Sequence, residues 1–167
     1  MLRKRFLKQG DMPATKHDSP DASGEGISIP DSATVMVTSE MSEHPIDHMF
    51  DGHHGPRSTK WVAGEAGDQS VILAFDTPCN LRKVSLEVEE TDVERTQELT
   101  LAISHDGGQT YREVLRQEYT FSPPGTTFER EEWCVPAVSV TNLWVWLRPD
   151  KGKAVDCRAT ITSLTLQ

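Results

Sequence analysis

The sequence has few basic residues outside its first eight positions. Four of its 17 lysines and arginines lie there, at Arg3, Lys4, Arg5 and Lys8, whereas all 26 acidic residues follow them. A protein that binds a nucleic-acid backbone needs a clustered basic surface, and the acidic remainder of this chain does not offer one. We therefore predict no nucleic-acid partner.

Paired cysteines and long apolar runs are also lacking. Cys79, Cys134 and Cys157 are far apart and form no C-x-x-C pair, so neither a zinc knuckle nor a redox dithiol is indicated. Unpaired thiols are typical of a reducing compartment. The basic start lacks the ~7–15 apolar residues of a secretory signal, and no run approaches the ~18 of a membrane span. These absences predict a cytoplasmic protein without a membrane span.

Motifs that carry catalysis are missing as well. The chain contains no G-x-S-x-G elbow and no glycine-rich phosphate loop between a strand and a helix. The acidic pairs Glu89-Glu90 and Glu131-Glu132 lie in strand-like sequence, where neighbouring side chains point to opposite faces. The sequence therefore predicts that the protein is not an enzyme.

Residues 1–30 differ in composition from the rest of the chain. After a short basic start, which could form one amphipathic turn through Leu2, Phe6 and Leu7, proline, glycine and polar residues predominate. Such a segment buries too little apolar surface to offset its ordering entropy. We predict a disordered tail over 1–30 and a single folded domain over 31–167.

From Ala33 onward the apolar residues recur with a period of two, as in Val84, Leu86 and Val88, which is typical of β-strands. Asp106-Gly107 supplies a hairpin turn, and Pro45–Phe50 suits a short helix. The pattern predicts an all-β sandwich of eight strands. They lie near 34–38, 70–75, 84–89, 99–104, 111–121, 127–134, 143–147 and 159–166.

Two stretches resemble a known family. Ser42–Gly52, with its Phe50-Asp51-Gly52 step, leads to Ser58–Trp61 and a strand that ends in Phe75, and Leu101–Thr110 contains an S-x-D-G step. In order and spacing these stretches resemble the discoidin, or coagulation factor 5/8 type C, domain. The resemblance implies an eight-stranded antiparallel jelly roll of the galactose-binding-like fold. It also implies a ligand, whether carbohydrate, phospholipid head group, peptide or protein, bound through loops at one end.

The resemblance further implies a structural calcium ion near the Phe50-Asp51-Gly52 step. Asp51 would supply a carboxylate to this ion, and Thr59 a hydroxyl or backbone oxygen. The family often places a glutamate on the last strand where this chain has Ser163, and residues 53–57 look like an insertion. In the alternative interpretation, Asp51 tightens the loop through hydrogen bonds to the backbone, as aspartate does in turns.

Two groups of residues are candidates for ligand binding. His53, His54 and Arg57 lie in the long loop, where planar rings and hydrogen-bond donors suit a sugar. Trp144 and Trp146 have the same parity in one strand and therefore share a face. If that face is not the core, it presents an aromatic strip suited to a sugar or to a protein; in the alternative, both faces of the sheet are covered.

Two hypotheses on function follow. The first is a non-catalytic carbohydrate-binding module that acts through loops at one end of the sandwich, with His53, His54 and Arg57 as contacts. The alternative is an intracellular protein–protein interaction module that uses the Trp144 and Trp146 face or the acidic loops. Exposure of both indoles on one face is required for that version of the alternative.

Overall fold

The computed structural model describes residues 1–7, 26–152 and 157–167. Within these ranges the chain forms nine strands, a helical turn at Ile29–Ser32 and a 3-10 helix at Ile46–Phe50. The predicted all-β class is confirmed. The strands are β1 Arg3–Phe6, β2 Ala33–Val37, β3 Trp61–Val62, β4 Gln69–Glu89, β5 Arg95–Ser104, β6 Arg112–Phe121, β7 Phe128–Arg148, β8 Thr160–Ile161 and β9 Ser163–Leu166.

The long strands β4 and β7 build the sandwich. Each has 21 residues, and they pair antiparallel along almost their whole length. Register shifts interrupt the pairing between Ala74 and Lys83 of β4. Pro78 of β4 and Pro136 of β7 both lie in this irregular stretch, where a proline need not donate a hydrogen bond to the partner strand. Such irregularities bend a strand and increase its twist. The seven-stranded sheet therefore folds over into two layers.

The front layer has the strand order β1-β2-β4-β7-β5-β6, with the first half of β4 and the second half of β7. The back layer contains the second half of β4 between β9 and the first half of β7. A two-stranded sheet of β3 and β8 lies beside them. Within the front layer every pairing is antiparallel except that of β1 with β2.

Alternation along the strands separates core from surface. The inward side chains of both layers are almost completely buried and form one apolar cluster, as the period-two pattern predicts. Trp61 is fully buried in it, and its indole Nε1 donates a hydrogen bond to the Ser39 carbonyl at 3.1 Å. The principal core residues of the layers are Val71, Leu73, Val84, Leu86, Val88, Leu99, Leu101, Ile103, Leu143, Val145 and Leu147.

The strand count differs from the prediction of eight. Each long bent strand was predicted as two, because the corner carries the proline and polar residues of a turn. Two short strands, β1 and β3, were not predicted, since four and two residues show too little periodicity. The last predicted strand, over 159–166, is divided at Thr162 into β8 and β9. In the described part of the chain, no helix has the length and apolar character needed to cross a membrane.

Two parts of the segment predicted as a disordered tail over 1–30 are described by the structure, and both contact the sandwich. Arg3–Phe6 pairs with β2, and the Leu7 amide donates to the Val37 carbonyl at 3.0 Å. Farther on, the Ile27 amide donates to the Leu166 carbonyl at 2.9 Å, and Ile29 is buried. A few apolar side chains and backbone partners order these residues despite their polar composition. Residues 8–25, on which the rest of the prediction falls, lie outside the described residues.

Ile29 offers a direct test of this packing. Its side chain is 3% exposed and packs in the core, so Ile29→Ala should cost about 2–5 kcal/mol of unfolding free energy, measured by urea denaturation. Val138→Ala is the control, because Val138 is 69% exposed and should change the free energy by less than about 0.5 kcal/mol. Equal effects of the two substitutions would contradict the placement of Ile29 in the core.

Candidate functional site

The outer face of the front layer carries two matching rows of side chains. In one row, Thr100 of β5 lies between Trp146 of β7 and Arg116 of β6. In the next row, Ala102 of β5 lies between Trp144 of β7 and Glu113 of β6. Small residues thus form a floor between an aromatic wall and a charged wall. We call this groove the aromatic trough.

A bulge in β6 makes the charged wall possible. Side chains three residues apart in a regular strand point to opposite faces, so Glu113 and Arg116 would not meet. The register of β6 against β5 shifts between Leu101 and Ala102, which adds one residue to β6 at this point. Both side chains consequently lie on the outer face, where Arg116 Nη2 and Glu113 Oε2 are 2.9 Å apart.

The trough is an open cavity of about 350 Å³. Tyr111 lines it beside Trp144, with ring centroids 5.3 Å apart and an interplanar angle of 66°. The indole Nε1 of Trp144 donates to the Ser70 hydroxyl at 3.0 Å. Both indoles are half-buried on the outer face, so the predicted aromatic strip exists and the two rings are accessible together.

Trp146 is supported from the side by Arg148. The guanidinium carbon of Arg148 lies 5.0 Å from the centroid of the Trp146 ring, within the range of cation–π contacts. Asp68 holds the guanidinium through two hydrogen bonds of 3.1 and 3.2 Å. The orientation of this indole is therefore set by the protein before any ligand arrives.

Ion pairs surround the trough. Arg116 Nη1 lies 2.6 Å from Glu98 Oε1, and Lys151 also pairs with Glu98, at 3.8 Å. The hydrogen bond from Arg116 to Glu113 holds the pKa of that carboxyl below its usual value. Burial, with a smaller contribution from Asp106, raises the pKa of Tyr111 to about 12. Glu113 is thus ionised and the Tyr111 phenol neutral at ordinary pH.

Thr100 is the one floor residue with a polar side chain. It is 9% exposed, and its hydroxyl oxygen is buried without a hydrogen-bond partner among the described residues. A buried hydroxyl without a partner typically costs about 1–3 kcal/mol. Thr100 also lines the cavity, so its hydroxyl keeps unused hydrogen-bonding capacity at the floor.

The long loop of residues 51–59 lies against the outer face of the back layer. Two buried carboxylates of β4 hold its backbone: the Gly55 amide donates to Glu87 at 2.7 Å, and the Arg57 amide donates to Glu89 at 2.8 Å. Arg130 pairs with Glu87 from the other side, with Nε 2.7 Å from Oε1. The loop is therefore a fixed cover on this sheet.

The structure separates the predicted ligand-binding residues into two groups. His53, His54 and Arg57 lie on the loop at the back layer, whereas Trp144 and Trp146 lie on the outer face of the front layer. A small ligand cannot touch both groups. His54 also lines a polar groove of about 210 Å³ with Arg130 and residues of β4 and β9.

The contacts of Asp51 and Thr59 bear on the predicted calcium ion. The Thr59 hydroxyl donates to Asp51 Oδ2 at 2.6 Å, and the His53 amide donates to Oδ1 at 2.9 Å. Burial alone would raise the pKa of Asp51, but these hydrogen bonds keep it below its usual value. Ser163 is buried on β9 and adds no carboxylate. These hydrogen bonds of Asp51 are the ones expected if its carboxylate tightens the loop without a metal ion.

A calcium ion needs more than these two residues. It takes ~6–8 oxygen ligands, and no group of three or more His, Cys, Asp or Glu in the described ranges is arranged to hold a metal. Asp51 and Thr59 as arranged do not fit the ion without further ligands. Calcium at this loop stays a prediction.

Asp51→Ala tests the role of the carboxylate. With EDTA present, we expect the variant to lose about 1–2 kcal/mol of unfolding free energy, because two donors lose their acceptor. Asp92→Ala is the control, since the Asp92 carboxylate is exposed and makes no hydrogen bond or ion pair within the described ranges. Equal stability of Asp51→Ala and wild type in EDTA would contradict loop tightening. A calcium-dependent rise in Tm that Asp51→Ala abolishes would support the ion.

Sequence reasoning missed most of the trough. Thr100 and Ala102 share the parity that faces away from the core, so the alternation of β5 could have identified them as surface residues. Glu113 and Arg116 could not have been found, because their common face depends on the bulge. Tyr111 directly follows the β5–β6 turn, and nothing in the sequence indicates that it lies next to Trp144.

Comparison with solved structures places this sandwich in the galactose-binding-like fold. A family 32 carbohydrate-binding module from C. perfringens NanJ, in complex with galactose, is 16% identical with a TM-score of 0.57; the match covers 84% of this chain and 96% of that one. CpGH89CBM32-5 from Clostridium perfringens, in complex with GalNAc-β-1,3-galactose, is 15% identical with a TM-score of 0.59 and coverages of 85% and 99%.

A third similar structure is the C-terminal domain of a chitobiase from Bacteroides fragilis. It is 14% identical, with a TM-score of 0.61 and coverages of 86% and 97%. At these identities the likeness defines the fold. No protein-family model matches the chain, and no curated protein matches it.

Proposed function

We propose that the protein is a non-catalytic carbohydrate-binding module and that its ligand lies in the aromatic trough. The observation that carries this proposal is the pair of indoles on the outer face, across a floor of small residues from a charged wall. Ligand sites in proteins are mostly apolar concavities with a few convergent polar groups, which is the composition of this trough.

Each wall suits a different part of a sugar. The faces of Trp144 and Trp146 are large and apolar, and fit the C–H surface of a pyranose ring. Glu113 offers acceptor oxygens and Arg116 offers N–H donors, so the opposite wall can bond the hydroxyls at the ring's edge. Because Asp68, through Arg148, holds Trp146 in place, little side-chain entropy is lost when the sugar binds.

The similar structures support the proposal. Two that cover more than four-fifths of this chain carry bound galactose or GalNAc-β-1,3-galactose. Within the shared fold we place the chain with the discoidin type. This assignment is supported by the Phe50-Asp51-Gly52 step after a short helix and by the buried Trp61.

The loop of residues 51–59 is the second candidate surface for a sugar. His54 faces Glu87 at 3.6 Å and His53 faces Asp51 at 3.1 Å, so part of each ring's hydrogen-bonding capacity is used within the protein. The trough is larger and has an aromatic wall, and for these reasons we favour it over the loop.

A protein partner is the alternative ligand. The accessible indoles of Trp144 and Trp146 are compatible with a protein partner, since aromatic residues are enriched in protein interfaces. It would accompany the predicted cytoplasmic location, and the free state of Cys79, Cys134 and Cys157 is compatible with such a location.

Substitution of the indoles tests the proposal. A glycan array would identify a binding sugar, and isothermal titration would then measure its Kd. We expect Trp146→Ala and Trp144→Ala each to weaken binding at least about thirtyfold, or ~2 kcal/mol, as buried aromatic contacts typically do. Unchanged near-ultraviolet circular dichroism would show that the variants are folded.

The matched control is the loop variant His53→Ala/His54→Ala/Arg57→Ala. Its affinity should equal that of wild type, because the loop and the trough lie on opposite layers. Loss of binding in the loop variant with retention in Trp146→Ala would move the site to the loop. Absence of binding to every glycan on the array would contradict carbohydrate binding and favour a protein partner.

The pH dependence of affinity separates the same two surfaces. The pKa of Glu113 is lowered and that of Tyr111 is raised to about 12, so these two trough groups keep their charge states as the pH falls from 8 to 5.5. Affinity should therefore stay constant over this range. A change in affinity over this range would contradict a site formed by these two groups and would favour the loop of residues 51–59.

A further inference from the structure

The aromatic trough has a repeat. Its two rows contain the same kinds of group in the same order: an indole, a small floor residue and a charged side chain. Residues two apart in a strand are separated by about 6.7 Å along it. This spacing is comparable with one pyranose ring and its glycosidic oxygen. A ligand that uses both rows equally must itself contain a repeating unit.

The rows are not identical, and the difference between their floor residues can fix the register of such a ligand. Thr100 carries a hydroxyl and Ala102 does not. The Thr100 Oγ1 atom is buried and has no hydrogen-bond partner in the described part of the chain. Its cross-strand neighbours, Trp146 and Arg116, both line the trough. A sugar hydroxyl can both donate and accept a hydrogen bond, and would satisfy Thr100 in only one of the two rows.

The charges around the trough disfavour an acidic sugar. Arg116 is paired with Glu98 and Glu113, Arg148 with Asp68, and Lys151 with Glu98 and Glu118. In this network the acids outnumber the bases by four to three. A sugar carboxylate would have to compete with a protein carboxylate for every one of these cations, whereas a hydroxyl can bond to the pairs without breaking them.

From these three observations we propose that the trough binds an extended chain of at least two neutral sugar residues along β5, with the Thr100 hydroxyl bonded to one of them. The inference rests on the proposed function and adds the class of ligand and its direction.

The first experiment measures chain length and charge. Wild-type protein would be titrated with neutral β-1,4-linked tetrasaccharides of galactose, glucose, mannose and xylose, and the best binder with its shorter members down to the monosaccharide. We expect the affinity to rise at least tenfold from one sugar residue to two or three. Tetragalacturonic acid should bind at least tenfold more weakly than the best neutral chain and more weakly than its own methyl ester, which has the same linkage without the charge.

The second experiment concerns the hydroxyl. Thr100→Val keeps the shape of the side chain and removes the oxygen, so it should weaken binding of the best tetrasaccharide at least fivefold while Tm stays the same or rises. Thr96→Val is the matched control, because Thr96 lies on the same strand and its hydroxyl already bonds to Thr120 at 3.0 Å. The control should leave affinity unchanged.

The outcomes separate the inference from the proposed function. Equal affinity for the monosaccharide and the chain, or tighter binding of tetragalacturonic acid, would overturn the chain inference while carbohydrate binding stands. Unchanged affinity of Thr100→Val would overturn the role of the hydroxyl. If no sugar, neutral or acidic, bound to wild-type protein, the proposed function and the inference would fail together.

Discussion

The pairing of β4 with β7 through a bent corner is the constraint on which the rest of the structure depends. Because two 21-residue strands remain partners on both sides of the bend, one continuous ladder supplies the centre of each layer. The strands β2, β5 and β9 add to the edges of this pair, and β6 adds to β5. The position of Trp144 and Trp146 on the outside follows directly, since the core takes Leu143, Val145 and Leu147 from the same segment.

The distribution of charge also contributes to the fold, because it holds the first strand in place. The basic first residues are bound to acidic side chains of the sandwich. Arg3 pairs with Asp76, and Lys4 Nζ lies 2.7 Å from Glu40 Oε1 and 3.1 Å from Asp47 Oδ2. Single exposed ion pairs contribute little, typically below about 1 kcal/mol. Together with the backbone bonds of β1, however, they explain why a segment of such polar composition adopts a strand.

The sequence predicted the class of fold well and the site only partly. Alternation in Val84, Leu86 and Val88 is a local property, so strands and their buried faces could be recognised without knowledge of their partners. The common face of Trp144 and Trp146 is local in the same sense. Which face becomes the core depends on the opposite layer, and the meeting of Glu113 with Arg116 depends on a bulge. Those features depend on contacts between distant parts of the chain, and no spacing of residues in the sequence predicts them.

The loop at the back layer has a property of interest for protein engineering. The loop is attached to the sheet by two hydrogen bonds, which the amides of Gly55 and Arg57 donate to the carboxylates of Glu87 and Glu89. Main-chain groups are present whatever side chain a residue carries. The exposed positions beside and between these anchors, His53, His54 and Pro56, can therefore vary in chemistry while the path of the chain is retained. The sandwich thus carries, on the side away from its tryptophans, a short segment suited to the grafting of foreign recognition sequences.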